Sequence, residues 1–337
     1  MTQLPSPPSV DERRLAGPEE FHADIRPGRQ PAILRGLVKH WPVVEAALGG
    51  DAAIASYLAS CEPRRQVEML EAAPQERGRF FYNARMTDLN FERRSVSLPD
   101  FMQRLLAEAA LETPAALAVQ SEIIPDVMPL FAQANRLDLV PGVAPRIWIG
   151  NRIRVAAHYD LKENIACCVA GRRKFTLFPP DAVAELYPGP FELTPAGTPV
   201  SMVDMADPDL SAHPRFPQAL ARAQVAQLEP GDALYIPYGW WHAVESQEPV
   251  SILVNYWWSD AEGDVAGAYD ALLHAVAAYR HLPAEQRAVW KTMMDHYVFE
   301  TNGPPAAHIP PHARGLLGDA SPALFARLRQ MLRQLLR

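Results

Sequence analysis

The chain has 337 residues and a formal net charge of −7, with 48% hydrophobic and 21% charged positions. That balance supplies a sizeable core, excludes global disorder, and argues against a generalised nucleic-acid surface. No window approaches the ~20 apolar residues of a membrane span, and the start MTQLPSPPSVDERRL lacks the basic-then-apolar pattern of a secretory signal, so the expected location is cytoplasmic.

In chain order, the polar, Pro-rich residues 1–17 suggest a flexible arm. A short helix is expected from Pro18 to Ile25, then a strand and turn over Pro31–Val38. A helix is expected over 44–60, where Val44, Leu48, Ile54, Tyr57 and Leu58 fall at helical spacing. Val67–Leu70 and Arg79–Tyr82 are short strand candidates. Leu98–Glu112 is an amphipathic helix with Phe101, Met102, Leu105, Leu106 and Ala109 on one stripe. Ala115–Gln120 reads as extended. Strands follow at Arg146–Gly150, Ala156–Asp160, Ile165–Ala170 and Lys174–Phe178, punctuated by Gly, Asn and Pro.

After a short helix at 181–187, residues 188–217 form a long Pro-rich stretch, expected to be a loop on the substrate side. Strands at Ala223–Leu228, Ala233–Ile236 and Ser251–Trp258 complete an antiparallel set, which points to a sandwich or barrel. From about 263 the pattern turns helical: 263–280, 284–299 and 322–336. The three cysteines make no CxxC. Adjacent Cys167 and Cys168 would face opposite sides of a strand, and all three read as reduced packing residues.

The chemistry concentrates in RIWIGNRIRVAAHYDLKENIACCVAGRRKFTLFPP. On a strand, residues i and i+2 share a face, so His158 and Asp160 could hold one metal ion. His-x-Asp alone is a weak signal against a buried, hydrogen-bonded histidine. His22-Ala-Asp24 shows the same spacing inside a helical stretch, where i and i+2 diverge. His308 and His312 are separated by Pro310-Pro311, which rules out the helix that would align them. The segment EPGDALYIPYGWWH offers a third ligand, His242, near a strand end behind two tryptophans. Two histidines and one carboxylate form the facial triad of non-haem Fe(II) oxygenases.

HYDLKENIACCVAGRRKFTLFPP, GDALYIPYGWWHAVES and ILVNYWW together resemble the JmjC/cupin-like 2-oxoglutarate oxygenases, closest to the factor-inhibiting-HIF type and its bacterial cupin-like relatives. QPAILRGLVKHWPVV and FYNARMTDLNFERRSVSLPDFMQRLL extend the resemblance over roughly 18–260. It implies a mainly β fold: a double-stranded β-helix (jelly-roll cupin) core at about 141–260, an N-terminal α/β decoration within the catalytic domain 18–260, and C-terminal helices over 261–337 that pair the chain as a homodimer. It implies His158, Asp160 and His242 as iron ligands, with Fe(II), 2-oxoglutarate and O2 as cofactor and co-substrates. Asn164 and Asn255 match pocket asparagines, Trp257 follows Asn255 on the same face, Gln120 matches a glutamine at the pocket edge, and Tyr159 would either bound the pocket or serve as a packing aromatic.

Three positions depart from the family pattern. A lysine that holds the remote carboxylate of 2-oxoglutarate is replaced by Arg173, which shares a strand face with Phe175 and Leu177. Arginine can fork to a carboxylate. A usual threonine is Val155 and a usual tyrosine is Ala118. The implied reaction is hydroxylation of an unactivated C–H bond in a protein side chain or a small molecule, with nucleic acid disfavoured by the charge. The competing readings are a non-redox metal cupin and a catalytically silent cupin-like binding module. The C-terminal stripe of Leu324, Leu328, Met331, Leu332, Leu335 and Leu336 beside four arginines could lie on a membrane, but packing or dimerisation is the commoner use of such a helix.

Overall fold

The computed structural model describes residues 4–260 and 267–335 and divides into two compact units that meet in sequence between Ser259 and Asp260. The first unit holds β1 (Asp11–Arg13), β2 (Ala32–Leu34), β3 (Val67–Ala72), β4 (Arg79–Phe80), β5 (Phe91–Val96), β6 (Ala116–Ile123) and β7 (Pro145–Gly150). It continues with β8 (Arg154–Tyr159), β9 (Glu163–Ala170), β10 (Arg173–Phe178), β11 (Gln224–Leu228), β12 (Ala233–Ile236), β13 (Trp241–Ser246) and β14 (Ser251–Trp258). They form a nine-stranded sheet in the order β1-β2-β12-β9-β14-β7-β6-β3-β5 and a five-stranded sheet in the order β11-β10-β13-β8-β4. All but two of the pairings are antiparallel, the exceptions being β1 with β2 and β4 with β8. This is the mainly β, cupin-like architecture with helical additions.

Two apolar layers stabilise it. One face of the nine-stranded sheet (Leu34, Met69, Leu117, Ile147, Cys167, Tyr235) packs on helices Pro42–Leu48, Asp51–Ser60 and Leu98–Ala109 through Val44, Leu58, Phe101 and Leu105. The opposite face meets the five-stranded sheet across an interior of Ala166, Cys168, Phe175, Leu177, Leu234, Val244 and Leu253. Cys167 and Cys168 therefore sit on opposite sides of β9, and all three cysteines are free and buried.

The helix expected over 44–60 is two helices, because Gly49-Gly50 interrupts it and Gly50 takes φ +99°. The helix at Leu98 starts on Ser97, whose hydroxyl accepts the Asp100 amide at 3.2 Å. β5 was not foreseen: its charged centre, Glu92-Arg93-Arg94, is exposed at a sheet edge and leaves no alternating apolar signal.

The N-terminal arm is not free over its second half. Val10 is buried, its amide donates to the Val225 carbonyl at 2.9 Å, and the Val225 amide donates to Pro8 at 2.8 Å. Arg35 clasps the arm by bonding Glu12 and the buried Asp232, each at 2.6 Å. Hydrophilic composition hid this because a strand needs only one buried side chain once its backbone finds a sheet edge.

The second unit carries helices Ala268–Tyr279, Ala284–Tyr297 and Pro322–Leu335. The start expected at 263 and the end at 336 lie outside the described residues.

Candidate metal centre

β8 and β13 are neighbours in the five-stranded sheet, and their register sets His158 directly opposite His242. The same ladder pairs Val155 with Val244, so Ala156 and Ala157 together oppose Ala243. This β-bulge inserts one residue, and its consequence is that Val155 and His158 both face the interior with Val244 and His242. Asp160 follows at the end of β8, where its carbonyl accepts the Gly239 amide at 3.1 Å. Gly239, at φ +77°, sits in the Pro237–Gly239 turn that returns the chain into β13.

The ligand atoms of His158, Asp160 and His242 all lie within 4.8 Å of one another. The two imidazole centroids are 4.3 Å apart. Each Nδ1 donates to a carbonyl two residues upstream, His158 to Ala156 at 3.0 Å and His242 to Trp240 at 3.1 Å. A carbonyl can only accept, so the proton sits on Nδ1 in both rings and both Nε2 lone pairs are free for a ligand. Burial, reinforced by the neighbouring His158 and opposed by the Asp160 charge, pushes the His242 pKa down to about 4, which keeps that ring neutral. Asp160 Oδ2 is buried without a hydrogen-bond partner, and it lies 3.6 Å from His242 Nε2, beyond bonding range. Two imidazole Nε2 atoms and an unpartnered carboxylate oxygen converge. That donor set fits a divalent transition metal held on one face.

The pocket containing these three residues also contains Arg173, Asn164, Asn255, Gln120, Trp148 and Trp257. Arg173 is 4% exposed, and its Nε and Nη2 have no hydrogen-bond partner. Burial lowers its pKa to about 10; a guanidinium still stays protonated there, and the direction measures the strain of an uncompensated cation. Lys174, on the other face, bonds Glu245 at 3.0 Å. Ser246, the β13 partner of Arg173, has a buried hydroxyl without a partner.

Asn255 Nδ2 donates to Asn164 Oδ1 at 2.8 Å, leaving Asn255 Oδ1 unpartnered. Gln120 is aimed by a second bulge: between Val119 opposite Ile149 and Glu122 opposite Ile147, residues 120 and 121 face Trp148 alone. Ser121 takes φ +58°, and Arg146 Nη1 holds its carbonyl at 2.9 Å and its hydroxyl at 3.1 Å.

Tyr159 is the exception among the sequence candidates. It lies outside this pocket, its ring 4.7 Å from Trp241 in the cluster that packs Phe178, Leu186 and Phe216 on the outer side of the sheet. The reason is strand alternation: with His158 turned inward, its neighbour turns out.

From loop 188–217, Pro195, Ala196 and Val200 reach the pocket wall, and the loop is strapped to β8 by Thr198 Oγ1 on the Tyr159 carbonyl (2.8 Å) and the Ser201 amide on Ala157 (2.7 Å). Sequence reasoning did not single out Trp148, Phe80 or Phe91. The signal for Trp148 was present in RIWIG, where Ile147 and Ile149 take the helix-covered face and leave the tryptophan on the other.

A family model described as a cupin-like domain matches residues 18–264. Among curated relatives, the chain is similar to lysine-specific demethylase JMJ31 of Arabidopsis thaliana, 37% identical over 131 residues, 39% of this chain and 22% of that protein. It is similar to HSPB1-associated protein 1 of Mus musculus, 33% identical over 135 residues, 39% and 27% of the two chains. Jumonji C domain-containing protein 5 of Drosophila melanogaster is 27% identical over 264 residues, 74% of this chain and 59% of that protein. The chain thus spans about a quarter of the length of the first two and under two thirds of the third.

Proposed function

Because the chain belongs to the cupin-like domain family and, within it, to the JmjC-type oxygenases, we propose that it is an Fe(II)- and 2-oxoglutarate-dependent hydroxylase whose domain spans 18–260. The observation that carries this reading is one pocket holding both a His-Asp-His donor set and a buried, unpaired Arg173. Iron bound there supplies O2 activation coupled to oxidative decarboxylation of the co-substrate, with hydroxylation of a C–H bond.

The chain's own residues do the rest. The Nδ1 bonds of His158 and His242 fix both rings with Nε2 forward, and Asp160 places one negative charge on the metal. Arg173 receives the remote carboxylate of 2-oxoglutarate through paired N–H groups, which offsets its own burial. Asn255 and Asn164 hold each other beside the co-substrate, and Trp257 walls it. Phe80, Phe91, Ile153 and Val200 keep water out where the target group would enter.

Among the described residues, no Asp or Glu besides Asp160 lines the pocket, which favours a neutral protein side chain or small molecule over a cationic one. The relatives named lysine-specific demethylases make a methylated lysine the second substrate to try.

We also propose that the protein resides in the cytoplasm and pairs as a homodimer through the helices after 267. Leu272, Val289, Trp290, Met293 and Phe299 are exposed there, and no helix among the described residues is long and apolar enough to cross a membrane.

The deciding experiment is anaerobic titration of metal-free protein with Fe(II) and then 2-oxoglutarate. A visible charge-transfer band that is lost in His158→Ala is the expected result. Iron binding without a band would sink the co-substrate assignment, and no iron binding would return the protein to the silent-module reading.

A further inference from the structure

The remote end of the pocket has too few assigned donors for the ligand it is read to hold. A carboxylate offers two oxygens and about four acceptor sites. Arg173 supplies one fork. Val155, brought inward by the β8 bulge, has no donor, and neither has Ala118. Yet Trp148 Nε1 is buried with no hydrogen-bond partner, as are Arg173 Nε and Nη2.

Trp148 and Arg173 line the same pocket from facing sheets. Trp148 on β7 pairs with Leu253 on β14, and Leu253 pairs in turn with Cys168 on β9, whose thiol donates to the carbonyl of Gly171, two residues before Arg173. Trp148 packs against the interior cluster of Phe175, Val244 and Leu253, whose first two members are the inward neighbours of Arg173 and Ser246. Ala118 pairs with Gly150, two residues along β7 from Trp148 and on the same face. Neither Ala118 nor Gly150 offers a side-chain donor beside the indole. Trp257 carries a second unpartnered indole N–H, but it pairs with Asn164 at the end of β9 nearer Asp160.

We propose that Trp148 is a co-substrate specificity residue, its Nε1–H donating to the remote carboxylate of 2-oxoglutarate beside Arg173. This inference rests on the hydroxylase reading above. It supplies a donor where Val155 and Ala118 give none, from a different strand and a different side-chain chemistry. It also explains why a large ring with a polar edge sits on the interior face of β7: an indole N–H left dry and unbonded is unfavourable unless a ligand accepts it.

The test uses the whole chain loaded with Zn(II), which occupies the site without redox chemistry. Seven tryptophans give seven indole N–H cross-peaks in a 15N-correlated NMR spectrum. The peak missing in Trp148→Phe belongs to Trp148; should that variant not fold, cross-relaxation to the Leu253 methyls assigns it. Addition of 2-oxoglutarate is expected to move this peak downfield, whereas 2-oxopentanoate, which lacks the second carboxylate, leaves it in place. In calorimetry, Trp148→Phe is expected to weaken 2-oxoglutarate about tenfold to a hundredfold, as for a lost bond to a charged group, and to leave 2-oxopentanoate unchanged. A Trp148 peak that stays still while wild type binds 2-oxoglutarate, or equal weakening of both oxoacids, overturns the inference alone. Wild-type protein that binds Zn(II) but not 2-oxoglutarate overturns the co-substrate reading and this inference with it.

Discussion

Arg173 and His242 are buried for opposite reasons, and each makes a measurable trade. Arg173 is a buried cation whose Nε and Nη2 have no hydrogen-bond partner. Replacing it by an apolar side chain of similar length removes that burden, so Arg173→Met is expected to stabilise the metal-free protein by about 1–3 kcal/mol in urea denaturation. The same variant is expected to lose 2-oxoglutarate binding; a destabilised Arg173→Met would mean the guanidinium already has a compensating contact. His242 is buried neutral, with its pKa lowered from 6.5 to about 4. The unfolded chain therefore binds a proton at a higher pH than the folded one. Its contribution is full above about 6.5 and is lost as pH falls through about 4, on the order of 2–3 kcal/mol. Metal-free His242→Asn should show a shallower loss of stability over that window; superimposable profiles would refute the assignment.

At the scale of elements, the site depends on two irregularities in otherwise regular ladders. The bulge at Ala156–Ala157 turns Val155 inward together with His158, and the bulge at Gln120–Ser121 presents Gln120 to the pocket. Neither was legible in the sequence, because a bulge belongs to the pairing of two strands and not to either strand's own alternation. Period placed His158 with Asp160 and Arg173 with Phe175 and Leu177 on shared faces, whereas Asn255 and Trp257 came from the family resemblance. Of the two roles open to Tyr159 on sequence, strand alternation selects the packing one, against Trp241. Arg146 clamps the second bulge by two hydrogen bonds to Ser121 and lies 5.9 Å from the Trp257 ring centre. Arg146→Ala is expected to cost about 1–2 kcal/mol and to speed amide exchange at residues 120–122. Unchanged exchange there would show that the strand holds its own irregularity.

Across the whole molecule, most strands that build the barrel were readable from their apolar runs and Gly/Pro punctuation, but β13 was not, because Pro237 and Gly239 read as the end of a strand just before it begins, and neither were the sheet edges. β1 and β5 are short or charged and owe their place to a neighbouring backbone. The first unit has its own continuous core and carries every residue of the candidate site. A chain ending at Ser259 is therefore expected to bind Fe(II) like the full chain but to run as a monomer in light scattering, whereas the full chain is expected to run as the proposed dimer. A dimeric short chain would move the self-association out of the C-terminal helices.

The pairing of His158 with His242 across β8 and β13 has one more consequence. The two rings are neighbours in space, but β9, β10, the 188–217 loop, β11 and β12 lie between them in the chain. During synthesis, His158 and Asp160 emerge from the ribosome long before His242 is made. A nascent chain can offer an ion only two of its three ligands until β13 docks. With these three residues as the proposed iron ligands, metal capture is expected late in biogenesis, and the same delay would keep a half-built centre from gripping iron while the polypeptide is still growing.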